Sequence, residues 1–370
     1  MTDDPLPIAQ ALIRARSVTP VDDGALDVVQ RVLEPLGFTC WRLPFGPPDW
    51  RVDNLFARRG TGTPHLMYCG HTDVVPAGDV SRWTDDPFAA VVRDGVLYGR
   101  GACDMKGGIA AFLAAIPTEQ AHGSLSLLIT GDEEARSVDG VARVMPWLAE
   151  HGHIPDMCVV GEPTSREHLG DTIKIGRRGS MNAFITVQGI QGHSAYPQKA
   201  DNPVHRLLRV LSRLTAEPLD EGSAHFEPST LQVTGLRVDN TATNVIPAEA
   251  SAFLNIRFND HHHSDTLRAR IEAALAEHAP RHLLRVEVSG ESFLTAPGPF
   301  VDALQRAAGG GAKLDTGGGT SDARFIARYC PVAELGAVGR TLHQVDENVP
   351  VEELRGLTAL YRRVIAECLA

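Results

Sequence analysis

Two rhythms of apolar and polar positions alternate along the first half of the chain. Residues 7–15 and 25–36 place apolar side chains three and four apart, the spacing of amphipathic helices. Residues 65–70, 124–130 and 157–160 are short unbroken apolar runs that stop at polar residues or glycine, as strands buried on both faces do. Residues 105–115 follow a glycine-rich turn and predict a further helix. Helices alternating with such strands predict a mainly parallel sheet flanked by helices, and ligands in these folds collect at the carboxyl ends of the strands. The rhythm changes near Lys174-Ile-Gly-Arg-Arg-Gly-Ser180. From there the pattern predicts strand 181–187, helix 203–215, strands 229–238 and 250–258, helix 264–278 and strand 284–288. Residues 299–308 and 351–369 predict helices, with a loop over 317–323. The expected fold class is α/β: a main domain over 1–176 and 290–370, and a smaller α+β unit inserted over 177–289.

Composition narrows the function classes. At 370 residues the chain fits two domains, or one domain with a large insertion. With 43% apolar and 22% charged residues it is neither disordered nor fibrous. A formal net charge of −11 argues against a nucleic-acid partner but leaves room for an anionic small substrate held by local cations. Cys40, Cys69, Cys103, Cys158, Cys330 and Cys368 form no CxxC pair, which suits reduced thiols in a cytoplasmic protein. The first residues lack a basic, then apolar, leader pattern, and no apolar run approaches the roughly 18 residues of a membrane span, so no membrane partner is expected.

Five polar stations follow the strands. In extended chain His71 and Asp73 point the same way at the end of one strand. Alone, they also read as a hydrogen-bonded pair. Asp104 sits between glycine turns at the mouth of a helix, where an N-cap acid is the plain reading. Asp132, Glu133 and Glu134 follow another strand directly, and adjacent carboxylates repel unless a cation compensates; a solvated acidic loop is the alternative. Glu162 closes a third strand, and His343 lies near the C-terminus. All five belong on one sheet edge, and together they offer a histidine and carboxylate set suited to zinc, or to two zincs sharing a carboxylate.

The segments GHTDVVPAGD, WTDDPF, GRGACDMKGG, GDEEA and GEPT, in this order and spacing along nearly the whole chain, resemble the M20 family of dinuclear zinc amidohydrolases and peptidases. Within it, RRGSMNAFITVQGIQGHSAYPQKADNPVHRL, NVIPAEA and GGGTSDARF are similar to the members that hydrolyse the succinyl amide of N-succinyl-LL-2,6-diaminopimelate. Members that deacetylate N-acetylornithine, and other aminoacylases and peptidases of the family, are the alternatives.

The resemblance implies two Zn(II) per subunit, with Co(II) a possible substitute. His71 and Glu162 would hold one ion, Glu134 and His343 the other, and Asp104 would bridge them, with a cis Asp104–Met105 peptide. Asp73 would orient His71. Glu133 would be the general base for a zinc-bridged hydroxide and would return the proton to the departing amine. His193, from the inserted lid and dimerisation domain, would reach the other subunit of a homodimer and stabilise the developing oxyanion. For an anionic acyl-amino-acid substrate, Arg178, Asn244, Arg257, Thr320, Ser321 and Arg324 are the expected contacts, with Arg257 the natural carboxylate clamp. His261-His-His263 reads as surface loop. Two departures stand out: Cys103 beside Asp104, where the family usually has a small residue, and the segment leading to His343.

Overall fold

In the computed structural model, residues 3–119 and 122–370 are described. Two compact units are distinguished. The first comprises Met1–Ile175, Thr295–Asp315 and Ser321–Ala370, the second Gly176–Leu294 with Thr316–Thr320.

An eight-stranded sheet organises the first unit, in the order Thr39–Arg42, Leu55–Arg59, Ser124–Thr130, His65–His71, Met157–Val160, Val332–Glu334, Thr172–Lys174, Lys313–Asp315. Its four middle strands, Ser124–Thr130 to Val332–Glu334, run parallel. Antiparallel pairings add Leu55–Arg59 and Thr39–Arg42 at one edge. Every residue of His65–His71 and of Ser124–Thr130 is buried, which is why these strands read as unbroken apolar runs. Helix Lys106–Ala115 is buried along its whole length and packs against Val351–Cys368 and Leu6–Arg14. Apolar on all sides, it belongs inside the domain. A separate three-stranded sheet joins Val91–Arg93, Val96–Tyr98 and Asn348–Pro350, tying the C-terminal segment to the loop that leads to Asp104.

The second unit is built on an antiparallel sheet, in the order Thr230–Arg237, Glu249–Phe258, Gly179–Gln188, His282–Gly290. Met181, Ala183, Ile185 and Val187 alternate with Asn182, Phe184, Thr186 and Gln188, and the first set packs with Ala250, Leu254 and Ile256 under helices Pro203–Thr215 and Ser264–His278. The opposite face is polar and aromatic: Asn255 donates to Asn182, and Phe184 meets Phe253 edge to face.

Both helices of this unit have the bounds the spacing predicts, as do Ser124–Thr130 and Met157–Val160. Among the elements the pattern did not predict are Thr39–Arg42, Leu55–Arg59, Val332–Glu334 and helix Val141–Glu150. Among the described residues no helix is long and apolar enough to cross a membrane.

Candidate metal centre

Register brings the polar stations together. Strand His65–His71 pairs in parallel with Ser124–Thr130, setting His71 opposite Thr130, and with Met157–Val160, setting Cys69 opposite Val160. His71, the acidic run that follows Thr130, and Glu162 therefore leave the sheet at one edge, the carboxyl end of its parallel strands. Backbone approach here is close: a Cβ on Gly161 would lie 2.0 Å from the Tyr68 hydroxyl oxygen, so only glycine lets the chain turn toward Glu162 at this spot.

Asp104 is central to the cluster. Its Oδ1 lies 3.2 Å from His71 Nε2, and its Oδ2 lies 3.3 Å from His343 Nε2. Around the first imidazole, Glu162 Oε1 stands 3.9 Å from Nε2. Around the second, Glu134 Oε1 stands 2.9 Å from Nε2. Ligand atoms of His71, Asp104 and Glu162, and likewise of Asp104, Glu134 and His343, lie within 4.8 Å of one another. Glu133 joins His71 and Glu134 in a third such group. The peptide after Asp104 is cis, as the resemblance implied.

The imidazole of His71 is oriented by a carbonyl. Its Nδ1 donates to the backbone oxygen of Asp73 at 2.9 Å, while the Asp73 carboxylate is 3.7 Å away. A carbonyl only accepts, so Nδ1 carries a proton, and Nε2 is the nitrogen that faces the acids. The Asp73 carboxylate instead accepts from Thr19 Oγ1 at 2.8 Å and from the amides of Glu134 and Glu133 at 3.0 and 3.3 Å. It thereby holds the acidic pair against the strand that carries His71.

Charge in the cluster is unbalanced. Burial alone would push His71 down, yet Asp104, with Asp73 and Glu133, holds it well above the usual histidine range. Hydrogen bonds with Asp104 and Glu134 raise His343 to about 10. Burial, reinforced by the charge of Glu162, raises the Glu133 carboxyl well above the ordinary range. Against its own burial, Asp104 is held low by His343 and His71. So many acids around two imidazoles call for positive charge. Nitrogen and oxygen donors in this number suit a divalent ion of borderline hardness. The donor set therefore fits a dinuclear metal centre, with Asp104 offering one oxygen to each side.

The substrate candidates fall in both units. Ser321 is buried and donates its hydroxyl to Glu334 at 2.5 Å. Arg324, also buried, donates to the Ser321 carbonyl at 2.8 Å. In the second unit, His193 lies in a two-residue strand, Gly192–His193, paired with Val245–Ile246. Its neighbour Ser194 bonds the Asn244 carbonyl at 2.9 Å, so His193 and Asn244 lie side by side, both exposed. Nδ1 of His193 accepts from the Ala195 amide at 3.0 Å, which leaves the proton on Nε2. Arg257 lies opposite Ser180 on the polar face of the sheet. Arg178 donates to the Pro228 carbonyl at 3.4 Å and keeps a buried Nε with no hydrogen-bond partner. Thr320 belongs to the short segment that clusters with this unit. His262 bonds Asp220 at 3.0 Å, in line with a loop role for the histidine run. Cys103 is buried, donating to the Val338 carbonyl at 3.4 Å.

Several buried acids here were not singled out for a role from sequence. Asp132 accepts the amides of Arg136, Val138 and Asp139 and so shapes the loop that presents Glu133 and Glu134. Glu347 does the same for the Asp104 loop. Asp322 is buried with one oxygen unpartnered, and burial raises its carboxyl to about 7. Asp132, in GDEEA, and Asp322, in the glycine-rich segment, lay within stretches that the sequence marked.

Comparison with known proteins places the chain in a family. The chain is 58% identical over 365 residues to succinyl-diaminopimelate desuccinylase of Gluconacetobacter diazotrophicus, covering 96% of this chain and 94% of that one. It is 57% identical over 368 residues to the Acidiphilium cryptum protein of the same name, covering 98% of each. Its fold matches aminopeptidase PepT of Bacillus cereus with TM-score 0.80 at 20% identity, covering 99% of this chain and 98% of that one. A dinuclear metal-binding M20 peptidase from Bacillus subtilis matches with TM-score 0.65 at 15% identity, covering 98% of this chain and 99% of that one. The family model described as peptidase family M20/M25/M40 matches residues 67–367, which span the centre from His71 to His343, and the chain belongs to that family.

Proposed function

We propose that this protein is a two-metal amidohydrolase that cleaves the succinyl amide of N-succinyl-LL-2,6-diaminopimelate to succinate and LL-2,6-diaminopimelate, a step of diaminopimelate and lysine biosynthesis. The observation that carries the reading is Asp104, whose two oxygens face two imidazoles, each with its own further carboxylate. Relatives that are 53–58% identical over nearly the full chain and bear the desuccinylase name support this substrate over N-acetylornithine.

In this reading His71 and Glu162 hold one ion, Glu134 and His343 the other, and Asp104 both. Two Zn(II), or Co(II) in their place, would polarise the acyl carbonyl and acidify a water molecule when bound. The chain's own residues do the rest. Glu133, whose carboxylate has no hydrogen-bond partner among the described residues, takes the proton from the attacking water and passes it to the departing amine nitrogen. Asp73 keeps Glu133 and Glu134 in place through their amides. In a homodimer the partner subunit's His193, protonated on Nε2, would donate to the carbonyl oxygen as charge develops there. Arg257 and Arg178 would pair with substrate carboxylates, with Asn244, Thr320, Ser321 and Arg324 around them.

The test is kcat/KM on N-succinyl-LL-diaminopimelate and N-acetylornithine, measured together with a metal-stripped control. A large preference for the succinyl substrate that disappears with the metal is expected. The reverse preference would move the protein to ornithine deacetylation, and metal-independent turnover would remove the mechanism.

A further inference from the structure

A buried ion pair behind the centre links two segments far apart in sequence. Glu347 is fully buried. Its Oε1 accepts from the amides of Cys103 and Asp104 at 2.9 and 3.0 Å, and its Oε2 from the Gly101 amide and Arg100 Nη1 at 3.0 and 2.7 Å. Every donor is on the segment that presents Asp104. Arg100 reaches back the other way: it donates to the carbonyls of Gln344 and His343 at 3.3 and 3.4 Å. The acid from the His343 segment thus anchors Asp104, and the arginine from the Asp104 segment anchors His343.

The His343 segment needs such anchors. His343 and Asp346 both have left-handed backbones, with φ of 59° and 56°, which non-glycine residues rarely adopt unaided. Asp346 is tied to Thr84 through the backbone amide and the hydroxyl, both at 2.8 Å, but these bonds do not reach Asp104. The Gly99 amide's bond to the Glu347 carbonyl and the pairing of Val96–Tyr98 with Asn348–Pro350 also join these segments, but it is the Glu347–Arg100 pair that bonds the backbones of Asp104 and His343 themselves. A buried ion pair is weak support for stability in itself, since well-packed apolar residues often do as well. Its four aligned donors point to orientation instead.

We infer that Glu347, with Arg100, is a positioning pair that sets Asp104 against His343, and so governs the ion held by Glu134 and His343 more than the ion held by His71 and Glu162. This rests on the two-metal reading above. Outer partners of metal ligands typically change affinity by about 10–100-fold when removed.

The experiment is stepwise zinc titration of metal-stripped wild type and Glu347→Gln, by competition with a chelator of known affinity, with cobalt(II) absorption as a second readout and Tm recorded for each. Glutamine keeps the size but replaces one double acceptor with a donor. The expected result is two ions in wild type; in Glu347→Gln the weaker step should fall about 10–100-fold while the tighter step stays within about threefold. Equal weakening of both steps, or a lower Tm with unchanged affinities, would show a scaffold role only and overturn the inference. Wild type taking up fewer than two ions would overturn the two-metal reading and the inference with it. If Glu347→Gln does not fold, Arg100→Lys, which keeps the charge and loses the fork, is judged by the same two affinities.

Discussion

Glu133 and Glu134 are adjacent in the chain, yet the geometry separates their tasks. Glu134 contacts His343 at 2.9 Å, whereas Glu133 has a carboxylate that no hydrogen bond holds among the described residues. Glu133→Ala should therefore keep both metal ions and an unchanged Tm while kcat falls about 10²–10⁴-fold, the usual contribution of a positioned acid or base. Retained turnover, followed by succinate release, would remove the general-base role. For His343→Ala the pattern inverts: metal analysis should find one ion per chain in place of two. His193→Ala should leave metal content alone and lower kcat by about 10²–10³-fold, as loss of one oxyanion donor does. An unchanged kcat would place the oxyanion donor elsewhere. At this scale the sequence marks residues whose chemistry shows at the tip of the side chain. It is silent on Glu347, because its partners are main-chain amides some 240 positions away.

Elements were legible where one environment surrounds them. Strand Ser124–Thr130 and helix Lys106–Ala115 are buried throughout, so their apolar runs stand out. Thr39–Arg42 at the sheet edge and Leu55–Arg59 beside it, TCWR and LFARR, mix cations with apolar residues, while Val332–Glu334 is only three residues long. Helix Val141–Glu150 contains Pro146, which interrupts the usual signal. In the second unit, the loop between helix Pro203–Thr215 and strand Thr230–Arg237 is fastened by Asp220, which accepts from the amides of Gly222 and Ser229, from Asn259 and from His262. Burial pulls the Asp220 carboxyl upward, but the bonds from Ser229, Gly222 and Asn259 outweigh it and hold it at about 2, below the ordinary 3.8. A carboxyl lower in the folded than in the unfolded chain stabilises fully above the unfolded value and loses that contribution as pH falls toward the folded one. Between about pH 4 and 2, Asp220→Asn should thus flatten part of the stability loss seen in wild type, on the order of 1 kcal/mol once solvent screening is allowed for. Chemical denaturation across that window would show it, and parallel wild-type and variant curves would refute it.

At the scale of the whole molecule, the second unit exposes Val233, Leu236, Val238, Phe253, Leu283 and Val288, more apolar surface than scattered side chains require. Sedimentation of the intact chain should give a dimer, and a chain with residues 177–289 replaced by a short linker should give a monomer; a dimer in both would place the contact in the first unit. The change of rhythm near Lys174 in the sequence falls beside the division between Ile175 and Gly176. In the proposed reading a single carboxylate, that of Asp104, serves two ions. The most direct measurement is a crystal structure of the zinc-loaded protein with diffraction recorded on both sides of the zinc edge. It should show two anomalous peaks, one about 2.0–2.2 Å from ligand atoms of His71 and Glu162, the other equally close to Glu134 and His343, with Asp104 reaching both. One peak, or two that do not share Asp104, would contradict it.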